Sequence, residues 1–159
     1  MRLKNPPTLP LLALAVCVGT SLGLSEAFAD TIPLELDKSI KGFAIAEKSL
    51  EHGALRVIFA RPVVNQETYS TFIRLGVCAP LWDDAKRGWR DAKIDRVEVL
   101  NKSQGQGFAF IGGRKACMEL GQAKGADASK VYLADHTWIC VAGFDCRPRR
   151  PGEKTSGDE

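Results

Sequence analysis

The spacing of apolar and polar residues changes several times along this chain, and each change predicts an element. The first stretch, Leu9 to Leu24, is uncharged and largely apolar. Further on, Ile32-Pro33-Leu34-Glu35-Leu36 alternates as a short edge strand would, with Pro33 tolerated only at an edge. Gly42 to Ala46 predicts a second strand, and Ser49 to Gly53 a turn. Leu55-Arg56-Val57-Ile58-Phe59-Ala60 is a compact β-branched and aromatic run stopped by Pro62, which predicts a central strand. Asn65 then offers a side-chain cap, and Tyr69, Phe72, Ile73 and Gly76 recur at helical steps. Gly76 or Pro80 is expected to end that helix. Leu81 to Lys93 reads as an exposed connection carrying Trp82 and Trp89.

Ile94 to Leu100 alternates Val97 and Val99 with Arg96 and Glu98, and Gly107 to Ile111 follows a short polar segment, so the two form a hairpin. Gly112-Gly113 opens a helix bearing Ala116, Cys117 and Leu120. Asp127 is expected to cap another through Ala134, and Thr137, Ile139 and Val141 alternate as a last strand. From Arg147 onward there is no apolar residue, and the tail is predicted to be disordered.

Strung together, Leu55 to Val141 gives the order βαββαβ. That is the split βαβ order of a ferredoxin-like α+β sandwich, an antiparallel sheet with two helices on one face, here with an N-terminal strand extension. The expected organisation is a cleaved signal peptide over 1–29, an extension over 30–53, the α+β domain over 54–146 and the tail over 147–159.

The signal is read from Arg2 and Lys4, the apolar middle, and Ala27-Phe28-Ala29 before Asp30, the layout of a cleavable secretory leader. A retained anchor needs about 20 apolar residues. The run here is shorter and is softened by Gly19, Thr20, Ser21 and Gly23, so no stable membrane anchor is expected after cleavage. Cys17 follows the bulky Val16 with apolar sequence continuing beyond it, which argues against a lipoprotein site. The chain is expected in the periplasm or secreted. Cleavage leaves 130 residues, enough for one core and too few for two ordinary ones.

Cys78, Cys117, Cys140 and Cys146 remain after cleavage. An even number in an exported chain favours two disulfides, and three pairings are open. In the proposed topology the end of the first helix lies near the start of the second. A Cys78–Cys117 bond would therefore pin both helices, and Cys140–Cys146 would close the last strand onto the root of the tail. A zinc site would compete for the same residues, but the spacings lack close C-x-x-C pairs and only His52 and His136 could assist. The same spacing argues against a thiol redox centre. No cofactor or metal is expected.

Without Arg2, Lys4 and Glu26, the 22 basic and 19 acidic residues become 20 and 18, a balance that excludes a dedicated polyanion-binding surface. The candidate chemistry is correspondingly thin. Gln106-Gly107-Phe108-Ala109-Phe110-Ile111 resembles the aromatic strand motif of RNA-recognition domains, whose exposed rings stack on bases. The resemblance implies base stacking by Phe108 and Phe110. The sequence departs from the motif at Gln106, where a basic residue is usual, and at Gly113, where an aromatic is. Asp135-His136 and Glu51-His52 pair a carboxylate with an imidazole, as a small hydrolase using His136 or His52 would need, but neighbours in a strand point to opposite faces. Gly112-Gly113-Arg114-Lys115 could hold an anion at a helix start, or simply turn tightly.

Trp82, Trp89 and Trp138 form a further set. Trp82 and Trp89 sit among Asp83, Asp84, Lys86, Arg87, Arg90 and Asp91, a mixture of large rings and charges that suits a contact surface. Trp82, Trp89, Arg87, Arg90, Phe108 and Phe110 are thus the candidate binding residues, with no catalytic constellation beside them. The expected function is that of a small, non-catalytic, disulfide-bonded binding or accessory protein of a bacterial-type cell envelope, an inhibitor, immunity or assembly factor. Its expected partner is a protein in the periplasm or outside the cell. The alternatives are the small hydrolase and the nucleic-acid binder.

Overall fold

The computed structural model describes residues 30–83, 88–89 and 91–153. The leader, Cys17, Asp84, Lys86, Arg87, Arg90 and the last six residues of the tail lie outside the described residues.

The chain folds as a mixed α+β structure around a six-stranded sheet. Its elements are α1 (Leu34–Ile40), β1 (Ile45–Glu51), β2 (Ala54–Phe59), α2 (Gln66–Thr71), a π-helical segment (Phe72–Cys78), α3 (Ala79–Asp83), β3 (Arg96–Leu100), β4 (Gln106–Ile111), α4 (Gly113–Gln122), α5 (Ala126–Asp135), β5 (Thr137–Val141) and β6 (Cys146–Pro148). The strands lie side by side in chain order. Every neighbouring pair is antiparallel except β2 and β3, which are parallel.

That order differs from the expected split βαβ sandwich. In the split arrangement a strand inserts between the two parallel ones, and the last strand takes the far side of the first. Here β1 already occupies that side of β2, turned back through His52 and Gly53 at φ 48° and 77°. Two positive-φ residues between paired strands are what a type I′ hairpin requires. With that edge filled, β5 adds beyond β4 instead, and the sheet grows in one direction.

Four local expectations also change. The edge strand predicted over Ile32 to Leu36 is helical from Leu34, because Leu36 and Ile40, one turn apart, both bury while Leu34 faces solvent. The helix capped by Asn65, whose Oδ1 accepts from the Thr68 amide at 2.9 Å, does not stop at Gly76 but runs on through the π segment into α3. Asp127 lies in the first turn of α5 without capping it; Gly125 holds the cap position. The root of the tail is ordered, since β6 pairs with β5 as far as Trp138↔Pro148.

One continuous core joins the helices to one face of the sheet. Leu36, Ile40, Tyr69, Phe72, Ile73, Val77, Leu81, Cys117, Leu120 and Leu133 meet Val57, Phe59, Val97, Val99, Phe108 and Phe110 there. Phe72 anchors it edge-to-face against Phe43 and Phe59, with centroids 5.0 and 5.3 Å apart. The opposite face carries a smaller cluster of Leu100, Ala109 and Cys140, covered in part by Trp138, Ile111 and Phe144.

Both cysteine pairs are at disulfide distance. Cys78–Cys117 ties the π segment to α4 across 39 residues, and Cys140–Cys146 closes the β5–β6 turn across 6. In the chain-entropy view these closures contribute about 4 and about 2 kcal/mol.

Candidate functional site

The π segment is the least ordinary backbone in the molecule. Its wider turn frees carbonyls that ordinary helical bonding would occupy, and side chains from elsewhere take them. Ser39 Oγ donates to the Gly76 carbonyl, and Trp89 Nε1 to the Val77 carbonyl at 2.7 Å. The buried side of the segment presents Phe72, Ile73, Val77 and Cys78 to the core, while Arg74 and Leu75 point outward.

Arg74 and Leu75 form one end of a groove of about 710 Å³ between α2 with its π continuation and α5. Gln66, Ser70 and Arg74 recur every four residues along one wall, with Ser129, Lys130, Leu133 and Ala134 opposite. A small cavity of about 40 Å³ continues from it toward Phe108 and Ile139 in the sheet. Around Arg149 and Ala134 the groove meets a second cleft of about 640 Å³ along β5, β6 and the tail root.

The walls are held rigidly. Tyr69, fully buried, shares a hydrogen bond of 3.1 Å with Thr137 Oγ1, which donates in turn to the Leu133 carbonyl at 2.6 Å. Those two bonds tie α2, β5 and α5 together beneath the groove. Burial pushes the Tyr69 phenol well above its ordinary pKa, so it stays a neutral hydrogen-bonding group.

Glu153 organises the far end. Its carboxylate grips the Arg147 guanidinium through two bonds of 2.9 and 2.6 Å and accepts from the Arg150 amide at 3.0 Å, while its carbonyl accepts from Arg149 Nε at 2.8 Å. The Arg147 contact, aided by the Arg150 amide, pulls the Glu153 pKa down to about 2.

The predicted contact residues are not gathered into one surface. Trp89 is 1% exposed and spends its indole N–H inside the core. Trp82 lies over Gly121, where a Cβ would stand 2.4 Å from its Nε1, and donates to the Cys117 carbonyl at 2.8 Å. Trp138 lies on the other face of the sheet. Arg87 and Arg90 fall outside the described residues. Phe108 and Phe110, at 1% and 0% exposure, turn toward the helices, so the rings that the RNA-recognition resemblance needs on the surface are core side chains instead.

The histidines are likewise engaged structurally. His52 occupies the β1–β2 turn. His136 stacks on the Tyr132 ring at 4.1 Å, and its Nδ1 lies 2.9 Å from the Tyr132 carbonyl at the end of α5, a place where a histidine suits the helix dipole. At Gly113 a Cβ would stand 1.9 Å from the Ile94 carbonyl oxygen, so the glycine pair serves a tight backbone approach. Among the described residues no group of three or more His, Cys, Asp or Glu stands close enough together to hold a metal ion, and no helix is long and apolar enough to cross a membrane.

Arg74, Leu75 and Lys130 were absent from the sequence-derived site. The available signal was the four-residue recurrence of Gln66, Ser70 and Arg74 on the polar side of a well-marked helix. Nothing in the sequence says that α5 lies alongside it. No protein-family model, curated protein or solved structure matches the chain.

Proposed function

We propose that this is an exported, disulfide-bonded binding protein of the cell envelope or its surroundings, an inhibitor, immunity or assembly factor, and that it engages its partner through the groove between α2 with the π segment and α5. The observation carrying this reading is that groove itself: about 710 Å³, within the size range of ligand sites, with mixed polar and apolar walls pinned from below by Tyr69 and Thr137. Two disulfides suit an oxidising compartment and a scaffold that keeps its shape there. The leader-like first 29 residues support export on sequence grounds.

Binding also accounts for how the molecule uses its polar groups. Both histidines and the Trp82 and Trp89 indoles hold turns, helix ends or freed carbonyls. In the groove the Ser70 and Ser129 hydroxyls are held on the Gln66 and Gly125 carbonyls, while Arg74 and Lys130 are exposed on its walls.

The test is a photoreactive amino acid placed at Leu75, in the groove and 59% exposed, or at Val141, distant from it and 41% exposed. In the producing cell the Leu75 position should give a discrete protein adduct and the Val141 position none. Adducts from Val141 alone, or purified protein that turns over an ester or peptidoglycan substrate, would overturn the reading.

A further inference from the structure

We infer that the groove's occupant is a short acidic peptide segment with apolar side chains interspersed, presented by the partner protein. This rests on the groove being the binding site and names the chemistry that would fill it.

Shape comes first. From Gln66 to Arg74 the α2 wall extends eight residues, about 12 Å at an ordinary helical rise. The trough does not end there but continues past Arg149 and Ala134 into the cleft along β5 and β6. Two adjoining clefts that share Ala134 and Arg149 suit a chain laid along them, and four extended residues span the first part.

Charge comes second. Arg74 and Lys130 stand on opposite walls, both exposed and with no acidic partner among the described residues. Arg149, oriented by the Glu153 carbonyl, and Arg150 extend the cationic line through the second cleft. Among the described residues, Glu67 and Asp135 are the acids that oppose it, since the Glu153 carboxylate is already committed to Arg147. The path as a whole is cationic although the chain is nearly neutral. An acidic segment is therefore steered to this trough in preference to the rest of the surface.

Apolar groups come third. Leu75, Leu133 and Ala134 line the same walls, and the small cavity leads inward to Phe108 and Ile139. Leu75 and Ala134 are exposed there, and a purely charged ligand would leave them uncovered. An acidic segment carrying leucine-like side chains covers them while its carboxylates reach Arg74 and Lys130. The π segment adds an independent pointer, because such segments cluster at functional sites and this one places Arg74 and Leu75 at the mouth of the groove.

The experiment uses the oxidised chain from Asp30 onward and three fluorescein-labelled octapeptides, alternating Glu-Leu, Lys-Leu and Glu-Ser, followed by anisotropy and by amide shifts in NMR. The Glu-Leu peptide should bind, move the amides of α2, the π segment and α5, and weaken severalfold between about 50 and 500 mM salt. Arg74→Ala with Lys130→Ala should weaken it at least tenfold, whereas Lys115→Ala on α4 should leave it unchanged. All three substituted side chains are exposed, and equal thermal unfolding of the variants confirms that the fold is intact. Equal binding of the Lys-Leu or Glu-Ser peptide, binding that ignores the double variant, or retention on phosphatidylglycerol vesicles without peptide binding would overturn the inference. If the Leu75 cross-link forms while the Glu-Leu peptide fails, the groove remains the site and the acidic occupant is wrong; if the cross-link also fails, the site itself falls.

Discussion

Trp89 donates its indole N–H to the Val77 carbonyl at 2.7 Å inside the core, a contact that joins a residue from an apparently polar connection to the π segment. Because the carbonyl is buried with it, Trp89→Phe leaves an acceptor without a donor. The expected loss is about 2 kcal/mol. Urea unfolding followed by circular dichroism should show a lower midpoint at unchanged slope, and a midpoint equal to that of the parent would contradict the role assigned to this bond.

The two disulfides should differ in worth, because they close loops of different length. Replacing Cys78 and Cys117 together by Ser should cost about 4 kcal/mol, and replacing Cys140 and Cys146 together about 2 kcal/mol. The first bond also joins two elements of the main core, the π segment and α4, whereas the second closes the β5–β6 turn beside the smaller cluster. Denaturant unfolding of the two double variants checks the order, and the reverse order would contradict the packing described here.

Alkaline stability should report on Tyr69. In the folded chain burial holds its phenol in the neutral form well above the ordinary value of 10, while in the unfolded chain it ionises near that value. The stabilisation is therefore complete below pH 10 and is lost as pH rises beyond it. Tyr69→Phe forfeits the bond to Thr137, about 1 kcal/mol at neutral pH. The variant cannot ionise at this position, so its disadvantage should shrink between pH 9 and pH 11. A disadvantage that stays constant over that interval would contradict the burial of an un-ionised phenol.

At the other end of the pH scale, Glu153 should keep the tail root in place until strongly acidic conditions. Its folded pKa of about 2 lies below the ordinary carboxylate value, so its contribution is present above that ordinary value and fades as pH falls toward 2. The Arg150 amide, hydrogen-bonded to Glu153, should remain protected from hydrogen exchange at pH 3 and lose protection near pH 2. Glu153→Gln loses the charged grip on Arg147, so protection of the Arg150 amide should be weaker at pH 3 and should no longer change between pH 3 and pH 2.

The central strands were legible because their signal is local. Alternation in Val97 and Val99, the aromatic run at Phe108 and Phe110, and the pair of Thr137 and Ile139 each require one buried face and nothing further away. Asn65 was legible as a cap for the same reason. The disulfide pairing came out as expected although the strand order did not, since it depended on the first long helix ending near the next one, which holds in both topologies. The order itself depends on which strand fills each edge of β2, and the deciding signal, a hairpin turned at His52 and Gly53, is two residues long. Trp82 and Trp89 misled because a tryptophan amid charges reads as a surface residue, whereas their indoles satisfy carbonyls inside the fold. The groove was not legible, because Arg74 and Lys130 look like any other solvated cations until α2 and α5 lie side by side.

The groove has a fixed scaffold only if the chain works outside the cytosol in its oxidised form. The most direct test is peptide mass mapping of the protein isolated, without reduction, from the cells that make it. It should begin at Asp30 and yield two cross-linked peptide pairs, one joining Cys78 to Cys117 and the other joining Cys140 to Cys146. An intact Met1 together with free thiols at all four positions would contradict it.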